Sequence, residues 1–205
     1  MNNVIIPIIV AVINSLSPSN KIAASSGETQ EETLARYESI ARDLVKVAGD
    51  KSVKSVYEGP RSRVKMIALE VAISRKESNF LKGVDNGEIR GDNGNSWCLA
   101  QIHTAGGRVV IKADGSFGYS TTEGWRGIDL VTDRTRCFKI SAAIAQISFK
   151  CPNTDKYSKL NLYASGKCDA GYWQSKERIE LAEEVDEKLT FTDDDIESFL
   201  AQERI

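Results

Sequence analysis

The chain has 205 residues, 41% of them apolar, which is enough for one well-packed core and leaves little room for a second full domain. Its net charge at pH 7 is −2, and its lysines and arginines form no basic stripe interleaved with aromatic residues, so the composition does not favour a nucleic-acid partner. There is one histidine and no C-x-x-C pair, which argues against a zinc or other metal site.

Residues 4–16 form an apolar run that is interrupted by Pro7 and Asn14 and is followed by small residues around Ala24. The length of this run is typical of a secretory signal or export segment, although the first three residues contain no lysine or arginine. The run is shorter than the roughly 20 residues of a membrane span. The alternative is a hydrophobic arm that contacts a partner or a membrane. Small and polar residues predict a linker over residues 20–30, so we treat residues 1–30 as a separate N-terminal segment.

Apolar residues recur every three or four positions over residues 31–47 and 61–78, which predicts two amphipathic helices. Residues 83–95 contain four Gly, two Asp and three Asn, and they predict a loop whose backbone can approach a ligand closely. We expect a short strand over residues 97–102 and a hairpin formed by residues 109–112 and 117–120. Further helices are predicted at residues 124–129, 133–149, 156–164 and 176–188, and from residue 193 onward. The predicted fold class is α+β, predominantly helical, with a small strand region.

Acidic residues are concentrated at the C-terminal end of the chain. Residues 175–205 contain eleven Asp or Glu and four Lys or Arg, a net charge of −7, which leaves +5 for the rest of a chain whose total is −2. A mildly basic body is compatible with an anionic polymer such as a cell wall. We therefore predict a central domain over residues 31–174. Residues 175–205 would be an acidic helical appendage, either a solvated tail or a contact site for a protein partner.

Four cysteines, Cys98, Cys137, Cys151 and Cys168, are spaced 39, 14 and 17 residues apart. An even number is typical of disulfide bonding in an oxidising compartment, whereas four free thiols would indicate the cytosol. Three pairings can be drawn, and the sequence alone does not choose between them. The pairing that we favour joins Cys151 to Cys168 across a short loop and Cys98 to Cys137.

A glutamate stands at the end of the second predicted helix, in the segment Lys76-Glu77-Ser78, just before the glycine- and asparagine-rich loop. A glycosidic oxygen is a poor leaving group until a carboxylic acid protonates it, and such an acid needs an apolar, partly desolvated setting to keep its proton near neutral pH. Glu77 is the best candidate for this acid. Glu70, one heptad earlier on a similar face, is the alternative. The simpler interpretation is that Glu77 only pairs with Lys76 or Arg75 at the helix end.

Several segments, taken in order, resemble the goose-type lysozymes and the related lytic transglycosylases. Residues 73–78 contain the Glu-Ser pair, residues 91–95 read Gly-Asp-Asn-Gly-Asn, and residues 99–102 read Leu-Ala-Gln-Ile. Residues 160–166 resemble the Tyr-Asn-x-Gly segment of these families. The resemblance covers roughly residues 61–171. It implies a lysozyme-like domain that cleaves the MurNAc–GlcNAc β-1,4 bond of peptidoglycan without a cofactor or a metal.

The resemblance also implies roles for the matching residues. Glu77 would be the general acid, Asp92 would orient a nucleophilic water, and Tyr163 would support Glu77. Gln101 would hydrogen-bond the sugar or its N-acetyl group, in a substrate-binding set that also contains Ser78, Ile102 and His103. The simpler interpretations are that Asp92 is a turn residue, His103 a surface polar group and Tyr163 a core residue. Further aromatic side chains could stack on sugar rings, although core packing is the usual role of tryptophan: Trp97, Trp125 and Tyr119.

Some positions depart from the goose-type pattern. His103 stands where those enzymes carry the Asp proposed as a general base, Cys98 and Ala100 replace the Gly and Met of the strand motif, and Ala164 replaces the Asn that follows the Tyr. The first departure bears most directly on mechanism, because it removes one of the carboxylates with which a lysozyme would activate water.

Two mechanisms remain open. Inverting hydrolysis needs a second carboxylate about 6.5–9.5 Å from the acid, for which Asp92 or, less well, Asp85 is available. A lytic transglycosylase needs no such base, because the C6 hydroxyl of the muramyl residue attacks intramolecularly while Glu77 acts first as acid and then as base. We therefore favour a lytic transglycosylase over an inverting lysozyme.

The predicted partner is the glycan strand of peptidoglycan, and the predicted location is extracytoplasmic: periplasmic, secreted or virion-associated. One alternative is a non-catalytic wall-binding or structural protein that keeps the lysozyme fold. Others are a phage virion component that uses this fold during cell entry and a chitin-directed glycosidase.

Overall fold

A computed structural model describes residues 4–152 and 155–203, so the outermost residues of the predicted N-terminal segment and C-terminal appendage (1–3 and 204–205) lie outside it. The described residues are predominantly helical, with two small antiparallel sheets, as the sequence predicted. Their helices are α1 Ile5–Leu16, α2 Ser19–Ser26, α3 Gln30–Gly49, α4 Ser62–Ser78, α5 Lys82–Asp85, α6 Gly127–Thr132, α7 Arg134–Phe149, α8 Asn161–Ser165, α9 Tyr172–Lys188 and α10 Asp193–Glu203. Their strands are β1 Ser96–Trp97, β2 Ile102–His103, β3 Arg108–Ile111, β4 Phe117–Ser120 and β5 Trp125–Arg126.

Helices α3 and α4 form the centre of the core, and both were predicted to within two residues at each end. Thr29 and Glu32 begin α3 with a capping box, in which each side chain accepts a hydrogen bond from the other residue's backbone N–H. The apolar face of α3 buries Tyr37, Ile40 and Leu44. Helix α4 is buried on nearly every side from residue 66 to residue 74, so its amphipathic pattern is weak.

The N-terminal segment belongs to this core. Five residues of α1 are buried, and α1 packs on α3 with further contacts to α9 and α10. The predicted linker is wrong over residues 20–26, which belong to α2 and pack on α3. The ends of α1 and α4 are tied together, because Arg75 donates to the Leu16 carbonyl and Ser17 donates to the Asn79 side chain. An apolar face that was interpreted as an export segment or a docking arm is thus covered by the chain's own helices.

Within the described part of the chain, no single helix has both the length and the apolar composition of a membrane span. The bent pair α1 and α2, with a 68° angle between them, meets these two criteria only when the helices are taken together.

The acidic C-terminal segment also belongs to the core, so the prediction of a separate appendage is wrong. Of all pairs of described elements, α4 and α9 have the most extensive contact. After α9, the chain buries Leu189, Phe191, Ile196 and Phe199. The acidic residues lie on the outer faces of α9 and α10, while the apolar residues between them fill the interior. The helices predicted at residues 176–188 and from residue 193 onward are present as α9 and α10, but the high charge density of the segment obscured their buried apolar faces.

Asp193 of α10 caps the start of α4. Its carboxylate accepts hydrogen bonds from the backbone N–H groups of Arg63 and Val64, which have no partner within their own helix. We expect Asp193→Ala to lower the free energy of unfolding by about 1–2 kcal/mol, as loss of a helix cap does. Urea denaturation measures this change. Asp194→Ala is the matched control, because Asp194 is an exposed neighbour in the same helical turn, and an equal loss in both variants would contradict the capping role.

The predicted strand over residues 97–102 is wrong: its two ends are separate strands joined by a tight turn. Trp97 in β1 pairs with Ile102 in β2, and the four residues between them reverse the chain. The reason is backbone conformation, since Cys98 and Gln101 have φ values of 60° and 48° and cannot continue a strand. The predicted hairpin is confirmed as β3 and β4, and β5 adds a third strand in the order β4-β3-β5.

Two predicted helices differ from the structure, one in position and one in continuity. The helix predicted at residues 124–129 begins with β5, and α6 starts only at Gly127. The helix predicted at residues 156–164 divides into a 3₁₀ turn, Lys156–Ser158, and the short helix α8.

Both disulfides that we favoured are confirmed. Cys98–Cys137 joins the β1–β2 turn to α7, and Cys151–Cys168 closes the loop that carries α8. The described residues contain no free cysteine. Two disulfides are compatible with a secreted protein and suggest an extracellular or other oxidising compartment.

Candidate active site

A cleft of about 710 Å³ opens between the end of α4, the β1–β2 turn, β4, α7 and α8. Besides the stacking candidate Tyr119, six of the residues predicted from the sequence line it, although they come from segments that are up to 86 residues apart: Glu77, Asp92, Gln101, Ile102, His103 and Tyr163. Helix α4 supplies Glu77, the β1–β2 hairpin and the turn before it supply the next four, and α8 supplies Tyr163. The cleft therefore assembles most of the predicted site.

Glu77 does not lie in the apolar setting that the sequence suggested. Its Oε1 accepts hydrogen bonds from Nη2 and Nε of Arg178 on α9, at 2.5 and 3.2 Å. The side chains of Arg178 and Glu77 are only 9% and 20% exposed, so this is a largely buried ion pair. Lys76 and Arg75, the simpler partners considered for Glu77, bond Glu177 and the Leu16 carbonyl instead. A charge-assisted pair of this kind orients the carboxylate rigidly.

Gln101 fixes the loop before β1 through both ends of its amide. Its Oε1 accepts from the Gly91 backbone N–H at 3.1 Å, and its Nε2 donates to the Cys98 carbonyl at 3.1 Å. The structure gives this side chain a positioning role, and the predicted hydrogen bond to the substrate stays a prediction, since the amide keeps a second N–H donor. An alanine at position 91 would place its Cβ against Gln101 Oε1, so the Gln101 amide would have to move.

We expect Gly91→Ala to displace the Gln101 amide and to cost about 1–2 kcal/mol in unfolding free energy, through the lost hydrogen bond to the loop. A double-mutant cycle with Gln101→Ala isolates the effect. In the Gln101→Ala background the Gly91→Ala change should be close to neutral. An equal cost in both backgrounds would contradict the contact.

Asp92 and His103 are exposed on the cleft wall. Asp92 starts a 3₁₀ turn, Asp92–Gly94, and its Oδ2 accepts a 2.5 Å hydrogen bond from the Ser96 hydroxyl. It is the one carboxylate besides Glu77 among the described residues that line the cleft. His103 pairs with Ser96 across the β1–β2 hairpin. Both side chains are accessible to a ligand.

Tyr163 lies at the floor of the cleft but does not bond Glu77. Its phenol donates to the Ala100 carbonyl at 3.0 Å and lies 3.0 Å from the Ser141 hydroxyl on α7. Burial raises the pKa of Tyr163 well above its ordinary value, and the neighbouring carboxyl groups of Glu70 and Glu77 add to this effect. Tyr163 therefore stays a neutral hydrogen-bonding group.

Five predicted candidates lie outside the cleft lining, and one of them is Glu70, the alternative acid, which is buried in α4. Ser78 is buried and binds the end of its own helix, because its hydroxyl donates to the Ser74 carbonyl. Asp85 is buried in an ion-pair network with Arg134. Trp97 packs over Gly127, and Trp125 lies in β5 beneath Arg136, so both tryptophans have packing roles.

The aromatic candidate that faces the cleft is Tyr119. It is 55% exposed on β4 and makes an edge-to-face contact with Phe117, which also lines the cleft. Helix α7 contributes Ile144 and Ile147 to the same lining. The cleft therefore offers aromatic and aliphatic surface besides its two carboxylates, which suits the apolar faces of sugar rings.

Backbone strain is concentrated around the cleft. Eight described non-glycine residues have positive φ, and seven of them lie between Asn79 and Ala105. Asp92 and Gln101, both in the cleft lining, are among them at 48° each. Such conformations persist where the surroundings enforce them, and they cluster at functional sites.

Arg178 is the site residue that the sequence analysis missed. It lies 101 residues after its partner Glu77, inside the segment that was interpreted as an acidic tail. Its signal in the sequence is weak: an arginine on the same helical face as Ile179 and Ala182, with buried neighbours on either side. Phe117 and the two isoleucines of α7 carried no signal beyond ordinary core patterning.

No family model matches this chain, and neither a curated protein nor a solved structure is similar to it. Among the described residues, no group of three or more His, Cys, Asp or Glu side chains is placed to hold a metal ion.

Proposed function

We propose that the protein has a lysozyme-like fold and is a peptidoglycan-degrading muramidase that cleaves the MurNAc–GlcNAc β-1,4 bond, acting as a lytic transglycosylase. One observation carries this proposal. Residues chosen from the ordered motifs of the goose-type lysozymes and lytic transglycosylases meet in one cleft, around a carboxylate at the end of a buried helix. The exposed Tyr119 and the aliphatic wall of α7 supply surfaces on which sugar rings can stack.

In the proposed reaction, Glu77 donates a proton to the glycosidic oxygen while the bond from C1 of the muramyl residue to that oxygen breaks. The carboxylate that results then removes the proton from the C6 hydroxyl as its oxygen bonds to C1, which closes a 1,6-anhydro ring. Glu77 ends the cycle protonated, and the leaving sugar carries the first proton. The reaction consumes no water.

The ion pair with Arg178 determines which oxygen of Glu77 can exchange a proton and what has to happen before the acid step. Both guanidinium hydrogen bonds go to Oε1, so Oε2 is the oxygen that can exchange a proton with the substrate. A general acid carries a proton, and a carboxyl group held by a guanidinium group is committed to that pair. The proposed reaction therefore needs the glycan to separate Glu77 from Arg178, and it needs solvent to supply the proton before the acid step.

The geometry favours the transglycosylase over the inverting lysozyme. Apart from Glu77, the described cleft lining offers one carboxylate, Asp92, and that group is bound by the Ser96 hydroxyl in a turn. His103 stands exposed where the goose-type pattern places an Asp. An inverting enzyme needs a carboxylate dedicated to activating water, and an intramolecular attack does not.

A second candidate function is favoured by the same ion pair. A non-catalytic wall-binding protein would use the cleft to hold a glycan strand and would keep Glu77 paired with Arg178 throughout. It shares the substrate class with the enzyme but releases no product.

The test is incubation of the purified protein with peptidoglycan, followed by mass spectrometry of the soluble fragments. Anhydro-muramyl ends are expected and would identify a transglycosylase, whereas reducing muramyl ends would show hydrolysis. Binding without soluble fragments would support the non-catalytic protein. Cleavage of chitin oligomers together with no effect on wall material would replace the proposal with a chitin-directed enzyme.

A further inference from the structure

Glu70 is a buried titratable group that the proposed reaction does not use. It lies on α4 seven residues before Glu77, is 2% exposed, and has no hydrogen-bond partner for either carboxylate oxygen among the described residues. Burying an ionised carboxylate without a partner is strongly unfavourable, so this site holds the neutral, protonated group. A proton on Glu70 needs an acceptor.

The Ser141 hydroxyl acts on the Glu70 carboxyl group, although the two groups do not form a hydrogen bond in the described conformation. Ser141 begins a chain of polar groups that leads to the cleft. Ser141 Oγ is 3.0 Å from the phenol oxygen of Tyr163, which is 3.0 Å from the Ala100 carbonyl oxygen. Ser141 is fully buried, and both Tyr163 and Ala100 line the cleft.

The Ala100 carbonyl determines the direction of these hydrogen bonds. The Ala100 carbonyl can only accept, so the single phenol proton of Tyr163 is donated to it. The phenol oxygen must then accept from Ser141, which uses the only proton of that hydroxyl. Ser141 is left with a lone pair, and the neutral Glu70 carboxyl is the neighbouring donor that can use it.

We propose that Glu70 is a positioning residue whose carboxyl O–H donates to Ser141 and thereby fixes the Tyr163 phenol on the Ala100 carbonyl at the cleft floor. This inference rests on the proposed function, because it assigns the chain of hydrogen bonds to the site of glycan cleavage. Glu70 touches no substrate and acts through Ser141 and Tyr163.

The titratable groups that face Glu70 from the surrounding elements are two phenols. Tyr163 comes from α8, and Tyr57 comes from the segment before α4; the charge of Glu70 contributes to raising the pKa of each. Helix α7 brings Ser141, which is not titratable in this range. The charged residues of α9 face other groups: Arg178 bonds Glu77, while Glu183 and Asp186 act on Tyr57.

Deprotonation of Glu70 would reverse the direction of its hydrogen bond with Ser141. Burial raises the pKa of Glu70 to about 8, an effect that the Ser141 hydroxyl partly opposes. Above that pH the carboxylate accepts the Ser141 proton, and the Tyr163 phenol loses the donor that held it. The proposed activity should therefore fall as pH rises through the Glu70 titration.

The experiment follows the carboxyl ¹³C signal of Glu70 and the ring ¹³C signals of Tyr163 through a pH titration of the full chain. In the wild type, both sets of signals should move together near pH 8. In Glu70→Gln, whose amide can still donate to Ser141, the Tyr163 signals should stay fixed. In Ser141→Ala, Glu70 should titrate while Tyr163 no longer follows.

Wall cleavage is then measured against pH in the same variants. Glu70→Gln should keep the neutral activity and lose the alkaline decline, whereas Glu70→Leu should lose roughly tenfold or more at every pH, because misplaced groups in a site are costly. A Glu70 signal that moves in the ordinary range of a carboxyl group, or equal pH profiles in wild type and Glu70→Gln, would overturn the inference. A wild type that cleaves no wall material would reject the proposed function, while the ¹³C titration would still decide the role of Glu70.

Discussion

If the proposed function is right, replacement of Glu77 by Gln should lower the rate of wall cleavage by at least about 100-fold, because it removes the group proposed to protonate the leaving oxygen. The amide oxygen of the variant can still accept a hydrogen bond from Arg178, so we expect the fold to survive at a cost of no more than about 1–2 kcal/mol. Initial rates of fragment release and a urea denaturation curve measure the two quantities separately.

The matched control is Glu177→Gln. Glu177 is 60% exposed, pairs with Lys76, and immediately precedes Arg178, yet it is not part of the cleft lining. Its substitution should leave the rate within about twofold of the wild type, as surface ion pairs contribute little. If the Glu77 variant retained full activity while remaining folded, another group would have to be the acid.

The free energy of unfolding is expected to fall as pH rises from about 4.5 to about 8, and Glu70 is the cause. Burial raises the pKa of Glu70 from 4.5 to about 8. Below the lower value both the folded and the unfolded chain carry the proton. Between the two values the unfolded chain releases the proton and the folded chain keeps it. The free energy of unfolding therefore falls by up to about 1.4 kcal/mol per pH unit through Glu70.

Across this window the loss is of the order of 4 kcal/mol relative to a side chain that does not titrate. Urea denaturation of the wild type and Glu70→Gln at a series of pH values measures it as the change in their difference, since every other titrating group is common to both. The exposed Glu58→Gln is the control and should show a constant difference. A constant difference for Glu70→Gln as well would contradict a protonated carboxyl group in the core.

The helical frame could be predicted from the sequence because its signals are local. The regular apolar spacing of α3 and α4 and the hairpin around Asp114-Gly115 each depend on residues close together in the chain. The two ends of the chain were misjudged for a different reason. An apolar run and an acidic run were taken as segments of distinct function, although their buried faces form one core with α3 and α4.

Within the site, the sequence placed the carboxylate but not its environment. Glu77, Asp92 and Tyr163 were found through their order and spacing, and they do meet in one cleft. The partner of Glu77 is an arginine 101 residues away, and no local pattern encodes that contact. The turn at Cys98 to Gln101 was missed because positive φ at residues other than glycine leaves no compositional signal.

Glu70 shows what a sequence does and does not say about a buried acid. A glutamate within an otherwise apolar stretch of α4 was noted as an alternative acid, and its position is in fact the more desolvated of the two. The sequence could not show that Glu70 is buried and lies outside the cleft lining. The apolar setting expected for the catalytic acid belongs to a residue one heptad away.

The most direct measurement of the central claim is a crystal structure of the Glu77→Gln variant with a bound peptidoglycan oligosaccharide. The glycan is expected to occupy the cleft, with a glycosidic oxygen within hydrogen-bond distance of the side chain at position 77 and a sugar ring against Tyr119. A glycan bound elsewhere on the surface, or one whose glycosidic oxygens all lie beyond the reach of that side chain, would contradict the assignment of this cleft as a site of glycan cleavage.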